Sequence, residues 1–323
     1  MNTSITLAPS RRQSGFNLIE LMISMLLGLL VVGAAIGIFL SNRQTYTATE
    51  GLSRIQEAAR TGFEMMAQDI REAGGNPCDS GLPVANVLNN PTATWWTNWA
   101  LPLTGYENSN PSNLTVTAGT DAIQILSAGT GGATVTAHNA ATQTLTLNAA
   151  APDLHSNAIM LLCDRQQLAV LQMNSVSGTS ASYSSGGLNA CNRLGRLPGV
   201  CVAGSNNYTY EINSILTEVR AVRWYIAPSS GGAAGATSLY QEVIAPGGTS
   251  QKNEIADGVT GLQFKYLSTG GTAYVDANAV ANWANVIAVQ VSMTVSSTTV
   301  AGAGKPPVTR TFSTIVSIRN RNP

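Results

Sequence analysis

The chain of 323 residues carries 17 basic and 17 acidic side chains, 11% of its positions, against about 25% in an average soluble domain. With no surplus of Lys and Arg there is no electrostatic footprint for nucleic acid. A hydrophobic share of 44% excludes a disordered chain and a polytopic transporter, and two His with four Cys leave few metal or acid–base candidates while suiting a disulfide framework outside the cytosol.

From Leu21 to Leu40 the chain reads LMISMLLGLLVVGAAIGIFL, uncharged throughout and long enough, at about 1.5 Å per residue, to cross a hydrocarbon core of roughly 30 Å. It exceeds the apolar core of a secretory signal and lacks a small-x-small cleavage site after it. Before it stands Arg11-Arg12-Gln13-Ser14-Gly15-Phe16-Asn17-Leu18-Ile19-Glu20, in which one carboxylate interrupts an apolar stretch. A carboxylate beside a span costs free energy unless it meets a partner. Within the run, Gly33-Ala34-Ala35-Ile36-Gly37 is a small-xxx-small pattern of the kind that lets helices approach.

Basic residues, Gly15, Phe16, three residues, Glu20 and the apolar run together resemble the N-terminus of the type IV prepilin family. The resemblance implies cleavage after Gly15 by a prepilin peptidase at the cytoplasmic face, N-methylation of Phe16, and a mature chain of 308 residues once 15 of the 323 are removed. It also implies that Glu20 meets the cationic N-terminus of a neighbouring subunit, the partner that low dielectric demands.

Beyond Leu40, the apolar positions Leu52, Ile55, Ala59, Phe63, Met66 and Ile70 recur at spacings of three and four, which predicts a helical stripe packed on the chain's own globular part. Arg54, Glu57, Arg60, Glu64, Asp69 and Arg71 are expected to keep the other faces soluble. Gly74-Gly75-Asn76-Pro77 stops the helix. One helix from about Phe16 to Ala73 is therefore expected, roughly 85 Å long.

After Pro77 the composition turns to Ser, Thr, Asn, Gly and β-branched residues. Strands are expected at Ala122–Leu126, Thr134–Ala137, Thr144–Leu147, Ala158–Cys163, Ala169–Val176, Glu218–Ile226, Leu239–Ile244, Leu262–Leu267, Val286–Val295 and Thr309–Ile318, separated by Gly-rich breaks at 129–132, 185–187, 231–235, 247–248 and 270–271. Ile287, Val289, Val291, Met293 and Val295 alternate with polar residues, the mark of one buried face. Asp257-Gly258 is a turn needing a positive φ, and the strand after it buries Leu262, Phe264 and Tyr266. Trp95, Trp96 and Trp99 read as core plugs under a long loop in preference to a binding patch.

Five stretches of this part are similar to the PilW-type minor pilins: Asp69–Gly74, Cys163-Asp164-Arg165, Ile255–Tyr266, Trp283–Val286 and Ser317–Arg321. The Asp-Gly-Val stretch followed by a Trp-led strand also resembles the J-type pseudopilins of type II secretion, and the closing Arg319-Asn320-Arg321 tips the choice toward PilW. Cys191 and Cys201, ten apart in a Gly/Pro-rich segment, are well placed to close a small loop, leaving Cys78 with Cys163. Four cysteines nevertheless permit three connectivities, and spacing does not choose among them.

His138 and His155 are not at metal-ligand spacing, and there is no His-Glu-x-x-His, Cys-x-x-Cys, nucleophile elbow or phosphate loop. Gly231–Gly235 reads as flexible loop and Asp276-Ala277-Asn278 as a solvated turn. The expectation is an α+β protein without cofactor, metal or catalytic site: a leader over 1–15, a transmembrane and filament-core helix over 16–40, its amphipathic continuation over 41–75, and a β-rich, disulfide-bonded pilin-like head over 76–323. The resemblance implies a protein of the inner membrane, N-terminus cytoplasmic and head periplasmic, that passes into an extracellular pilus with other minor pilins, the major pilin and a tip adhesin. The alternatives are a J-type pseudopilin of a secretion piston and a membrane-anchored periplasmic enzyme or sensor.

Overall fold

The structure, a computed structural model, describes residues 15, 17–79, 81–231, 235–300 and 307–321, the side chains of 298–300 excepted. Helix α1 spans Leu18–Arg71 without a break, 54 residues with no proline, about 80 Å at 1.5 Å per residue. Gly74 adopts a φ of 70° and donates its N–H to Leu126 O at 2.8 Å, while Gly75 O accepts from Ala128 N at 2.8 Å. The glycines that stop the helix therefore also stitch its end to the sheet. The expected start at Phe16 and the leader residues before Gly15, Arg11 and Arg12 included, lie outside the described residues.

Fourteen strands form two sheets among the described residues. In chain order they are β1 Val84–Asn86, β2 Leu103–Tyr106, β3 Ala122–Asn139, β4 Thr144–Leu147, β5 Ile159–Cys163, β6 Leu168–Gln172, β7 Ser175–Ser177, β8 Ser180–Ser182, β9 Ser214–Pro228, β10 Thr237–Ala245, β11 Thr249–Asp257, β12 Val259–Ser268, β13 Val286–Val300 and β14 Pro307–Ser317. The larger sheet runs β1-β6-β5-β9-β3-β4-β8-β7, with β2 on β3 and the β10–β11 hairpin on β9; the smaller is β12-β13-β14.

Two of the expected boundaries move for physical reasons. The glycines at 129–132 do not end a strand: β3 continues through them as a bulge, the register against β9 passing from Ala128↔Val219 to Gly132↔Thr217, with the Thr217 hydroxyl donating to Gly131 O at 2.6 Å. Ala169–Val176 divides into β6 and β7, the break falling at Met173-Asn174. β1, β2, β8 and β11 carry too few apolar residues to stand out as strands.

The second half of α1 lies between the two sheets. Ile55, Ala59, Met66 and Ile70 are buried with Trp224 and Leu239 of the larger sheet and with Phe264, Val289 and Met293 of the smaller one. Gly62 permits the approach, since a Cβ there would lie 2.8 Å from Leu239 Cδ2. Leu262, Phe264 and Tyr266 are buried as the alternation predicts, and Gly258 takes a φ of 76° at the turn between β11 and β12. Trp99 is buried and Trp95 and Trp96 half-buried against Leu88, Leu126 and Leu161. Both disulfides are formed, Cys78–Cys163 and Cys191–Cys201.

Candidate assembly interface

The first half of α1 presents the site. Gly15, Leu18, Ile19, Glu20 and every residue of Leu21–Leu40 are exposed, and, apart from the adjacent residues and the helix's own backbone, no heavy atom lies within 4 Å of where a Cβ would stand on Gly28, Gly33 or Gly37. Glu20 is the acidic residue of the first turn and has no partner among the described residues. This is the one described helix long and apolar enough to cross a membrane. An apolar surface of this extent is unstable in water and requires either lipid or other helices. Phe16, for which the prepilin resemblance implies cleavage and methylation, lies outside the described residues.

The second half of the same helix is fixed by a group that sequence reasoning placed on the wrong face. Asp69 is not solvated; it is 4% exposed. Its Oδ1 accepts from Arg220 Nε at 3.1 Å and Nη2 at 3.0 Å, and its Oδ2 from Trp224 Nε1 at 2.8 Å and Gln241 Nε2 at 2.9 Å. Four donors from β9 and β10 thus satisfy a carboxylate in the core, the condition under which a buried charge is tolerated. The signal was present: Asp69 lies three positions after Met66 and one before Ile70, on the apolar stripe by helical spacing.

Other polar groups tie the head together. Asp121, at the threshold of β3, accepts from Asn108 N at 3.1 Å and Phe264 N at 2.9 Å, joining the two sheets, and burial raises its pKa. Arg223 is 2% exposed, with its guanidinium 4.2 Å from the Trp95 ring centroid and Nη1 on Ser112 O at 2.9 Å and 3.5 Å from Glu242. Arg321 donates to Trp283 O at 2.6 Å and Val286 O at 3.2 Å, so the closing Arg-Asn-Arg holds the entry to β13.

The two histidines are engaged separately. His138 Nδ1 accepts from Tyr210 N at 2.9 Å, which leaves Nε2–H to donate to the Tyr183 hydroxyl at 2.8 Å; burial lowers its pKa to about 4. His155 Nδ1 lies 2.9 Å from Glu218 at the surface. Asp276 pairs with Lys265 at 2.8 Å. No group of three or more His, Cys, Asp or Glu suited to a metal occurs among the described residues. Of the glycine loop, Gly232 to Ala234 lie outside them.

Two family models match the chain. Residues 10–36 match the prokaryotic N-terminal methylation motif, and residues 223–320 match the type IV pilus-assembly protein W family. No curated protein and no solved structure matches it. The second match begins at Arg223 in β9 and covers β10 to β14, including the whole small sheet against which α1 packs. The chain thus matches the prepilin-type methylation motif at its N-terminus and, over its C-terminal third, the type IV pilus-assembly protein W family.

Proposed function

We propose that this protein is a minor pilin that helps to initiate type IV pilus assembly, in a priming or tip complex with other minor pilins and an adhesin. The observation that carries the reading is the division of α1: one half packed by one face against the head and held at Asp69, the other wholly exposed, apolar and headed by Glu20. After a prepilin peptidase cuts behind Gly15, the new Phe16 ammonium of one subunit faces Glu20 of the next. The exposed half first occupies the inner membrane and then exchanges lipid for neighbouring helices, where the ion pair forms in low dielectric. The head, outside the membrane, contacts neighbouring minor pilins, the major pilin and the adhesin.

N-terminal sequencing of the protein recovered from cells is the test. The expected product begins at N-methylated Phe16, and a product beginning at Met1 or beyond residue 40 defeats the reading. The initiating role is checked by pilus number and sheared-pilus composition with and without this chain; unchanged pilus number removes that role.

A further inference from the structure

The small sheet has two edges, and they are finished differently. Along β12, the Asp121 carboxylate accepts the Phe264 N–H, Asp121 N–H donates to Leu262 O at 2.9 Å, and Tyr266 exchanges backbone bonds of 2.7 and 2.9 Å with Val275. β11, the open edge of the β10–β11 hairpin, is polar and exposed over Thr249–Glu254 with Lys252 among them, a composition that discourages pairing. Among the described residues β14 has no such cover, and beyond Arg310 it carries no charge.

Ile318 N donates to Ile287 O at 2.8 Å, which sets the alternation in the antiparallel β13–β14 ladder. Thr309, Thr311, Ser313, Ile315 and Ser317 therefore turn their N–H and C=O groups to the free edge. The Oγ contacts Ser292–Ser313 (3.1 Å) and Thr294–Thr311 (2.9 Å) agree, because side chains approach most closely across non-hydrogen-bonded pairs. These edge groups have no backbone partner among the described residues. Thr311–Ser317 reads TFSTIVS, without charge, Pro or Gly, a composition that edges left in water avoid. A groove of about 540 Å³ runs beside it, lined by Phe63, Ala67 and Thr314 together with the charged Glu64, Arg71, Glu72 and Arg319.

We propose that the free edge of β14 is a strand-addition site, taking an extended, uncharged segment of a different neighbouring subunit antiparallel to β14, with apolar residues alternating with hydroxyl-bearing ones. Apolar side chains of that strand enter the groove toward Phe63 and Ala67, and its hydroxyls extend the Ser/Thr ladder of β13 and β14. A second copy pairing through its own β14 does not fit. Gly51 and Ile55 lie beside Val295–Ser297, which pair with the start of β14, while Arg71 lies beside Thr314 and Arg319, so α1 and β14 run in the same sense. Antiparallel pairing of two β14 strands would send the two apolar helix halves in opposite directions, out of any shared membrane. The identity of the occupant as a neighbouring subunit rests on the pilin reading above.

The probe is a dye-labelled synthetic peptide of the sequence Thr311–Ser317, which is uncharged, mixes apolar with hydroxyl-bearing residues and has no anchor to restrict its direction. It is titrated against the full-length protein in detergent. Saturable binding is expected, with Ser313→Pro weakening it about tenfold or more, since this proline removes an edge donor but no β13 bond. Ile315→Lys, which keeps every backbone bond, should weaken it similarly, and Gln251→Pro on β11 should leave it unchanged. In the wild-type protein, saturating peptide should slow hydrogen exchange at Thr309, Thr311, Ser313, Ile315 and Ser317 and not along β11. Absence of binding, or binding indifferent to both β14 variants, overturns the assignment. The assay needs no filament, so its failure is separate from a failure of Glu20-dependent incorporation, which would sink the pilin reading alone.

Discussion

Asp69 of α1 accepts the indole N–H of Trp224 at 2.8 Å, joining a helix carboxylate to a fully buried strand residue 155 positions away. The same carboxylate takes Arg220 and Gln241, so its removal leaves a partly buried guanidinium and two buried donors unmatched. Asp69→Ala is expected to cost about 3–5 kcal/mol, the range for breaking one side of a buried pair. Asp69→Asn keeps an acceptor and should cost less, about 1–3 kcal/mol. Denaturant melts of the full-length protein in detergent measure both; a loss under about 1 kcal/mol for the alanine variant refutes the anchoring role.

Gly105 and Tyr266 make a steric prediction of the opposite kind. A Cβ on Gly105 would lie 2.0 Å from the Tyr266 hydroxyl oxygen, and Tyr266 cannot retreat because its ring is fully buried and packed edge-on against Trp283 at 4.8 Å. Gly105→Ala should destabilise the head by about 1–3 kcal/mol. Tyr266→Phe should be neutral or stabilising, because the hydroxyl it deletes is buried without a hydrogen-bond partner among the described residues. Thermal melts that rank the two variants the other way contradict this packing.

His138 gives the head a pH dependence. Its folded pKa is pushed down to about 4 by burial, whereas the unfolded chain titrates near 6.5. Between these values the unfolded state holds the extra proton, so stability falls as pH drops from about 6.5 to about 4 and is flat with respect to this group above that window. The difference between the stability–pH curves of the wild type and His138→Gln should slope in that window alone. A parallel pair of curves disproves the assignment.

The disulfides differ in what they constrain. Cys78–Cys163 closes 85 residues and Cys191–Cys201 closes 10. The chain-entropy relation gives about 4–5 kcal/mol for the first and about 3 kcal/mol for the second. Paired Ser substitutions should follow that order in denaturant melts, and the reverse order would show that native-state contacts outweigh loop closure.

Glu20→Ala should be inserted and cleaved as the wild type is, yet be missing from sheared pili. Its charge costs membrane insertion free energy unless paired, so its deletion harms assembly alone. Immunoblots of membrane and pilus fractions separate the two steps, and wild-type amounts in pili would end the role given to this carboxylate.

Much of the fold was legible because it is written in periodicity. The three-four spacing of Ile55, Ala59, Met66 and Ile70 and the alternation of Val289, Val291 and Met293 both declare which face is buried, and the structure buries those faces against each other. Strand limits were legible only where apolar residues mark them: β4 matches residue for residue, while the polar β11 is held by its hairpin partner β10 and has no pattern of its own. Gly129–Gly132 misled because glycine serves a bulge as readily as a break. Asp69 was misread because charge was weighed above position, although its place in the stripe already put it inside. Its donors Arg220, Trp224 and Gln241 come from strands far along the chain, and no local signal announces such a meeting.

The bond from Cys78, seven residues past the end of α1, to the last residue of β5 also decides how tension would pass through the molecule. A pull on the helix against the C-terminus is carried across the sulfur atoms, and the sequence separation of 85 between them is bypassed. That shields about 300 Å of contour length, at about 3.5 Å per residue, from extension. A filament hauled against a load would therefore meet a subunit whose slack is covalently withheld where the anchor enters the sheet.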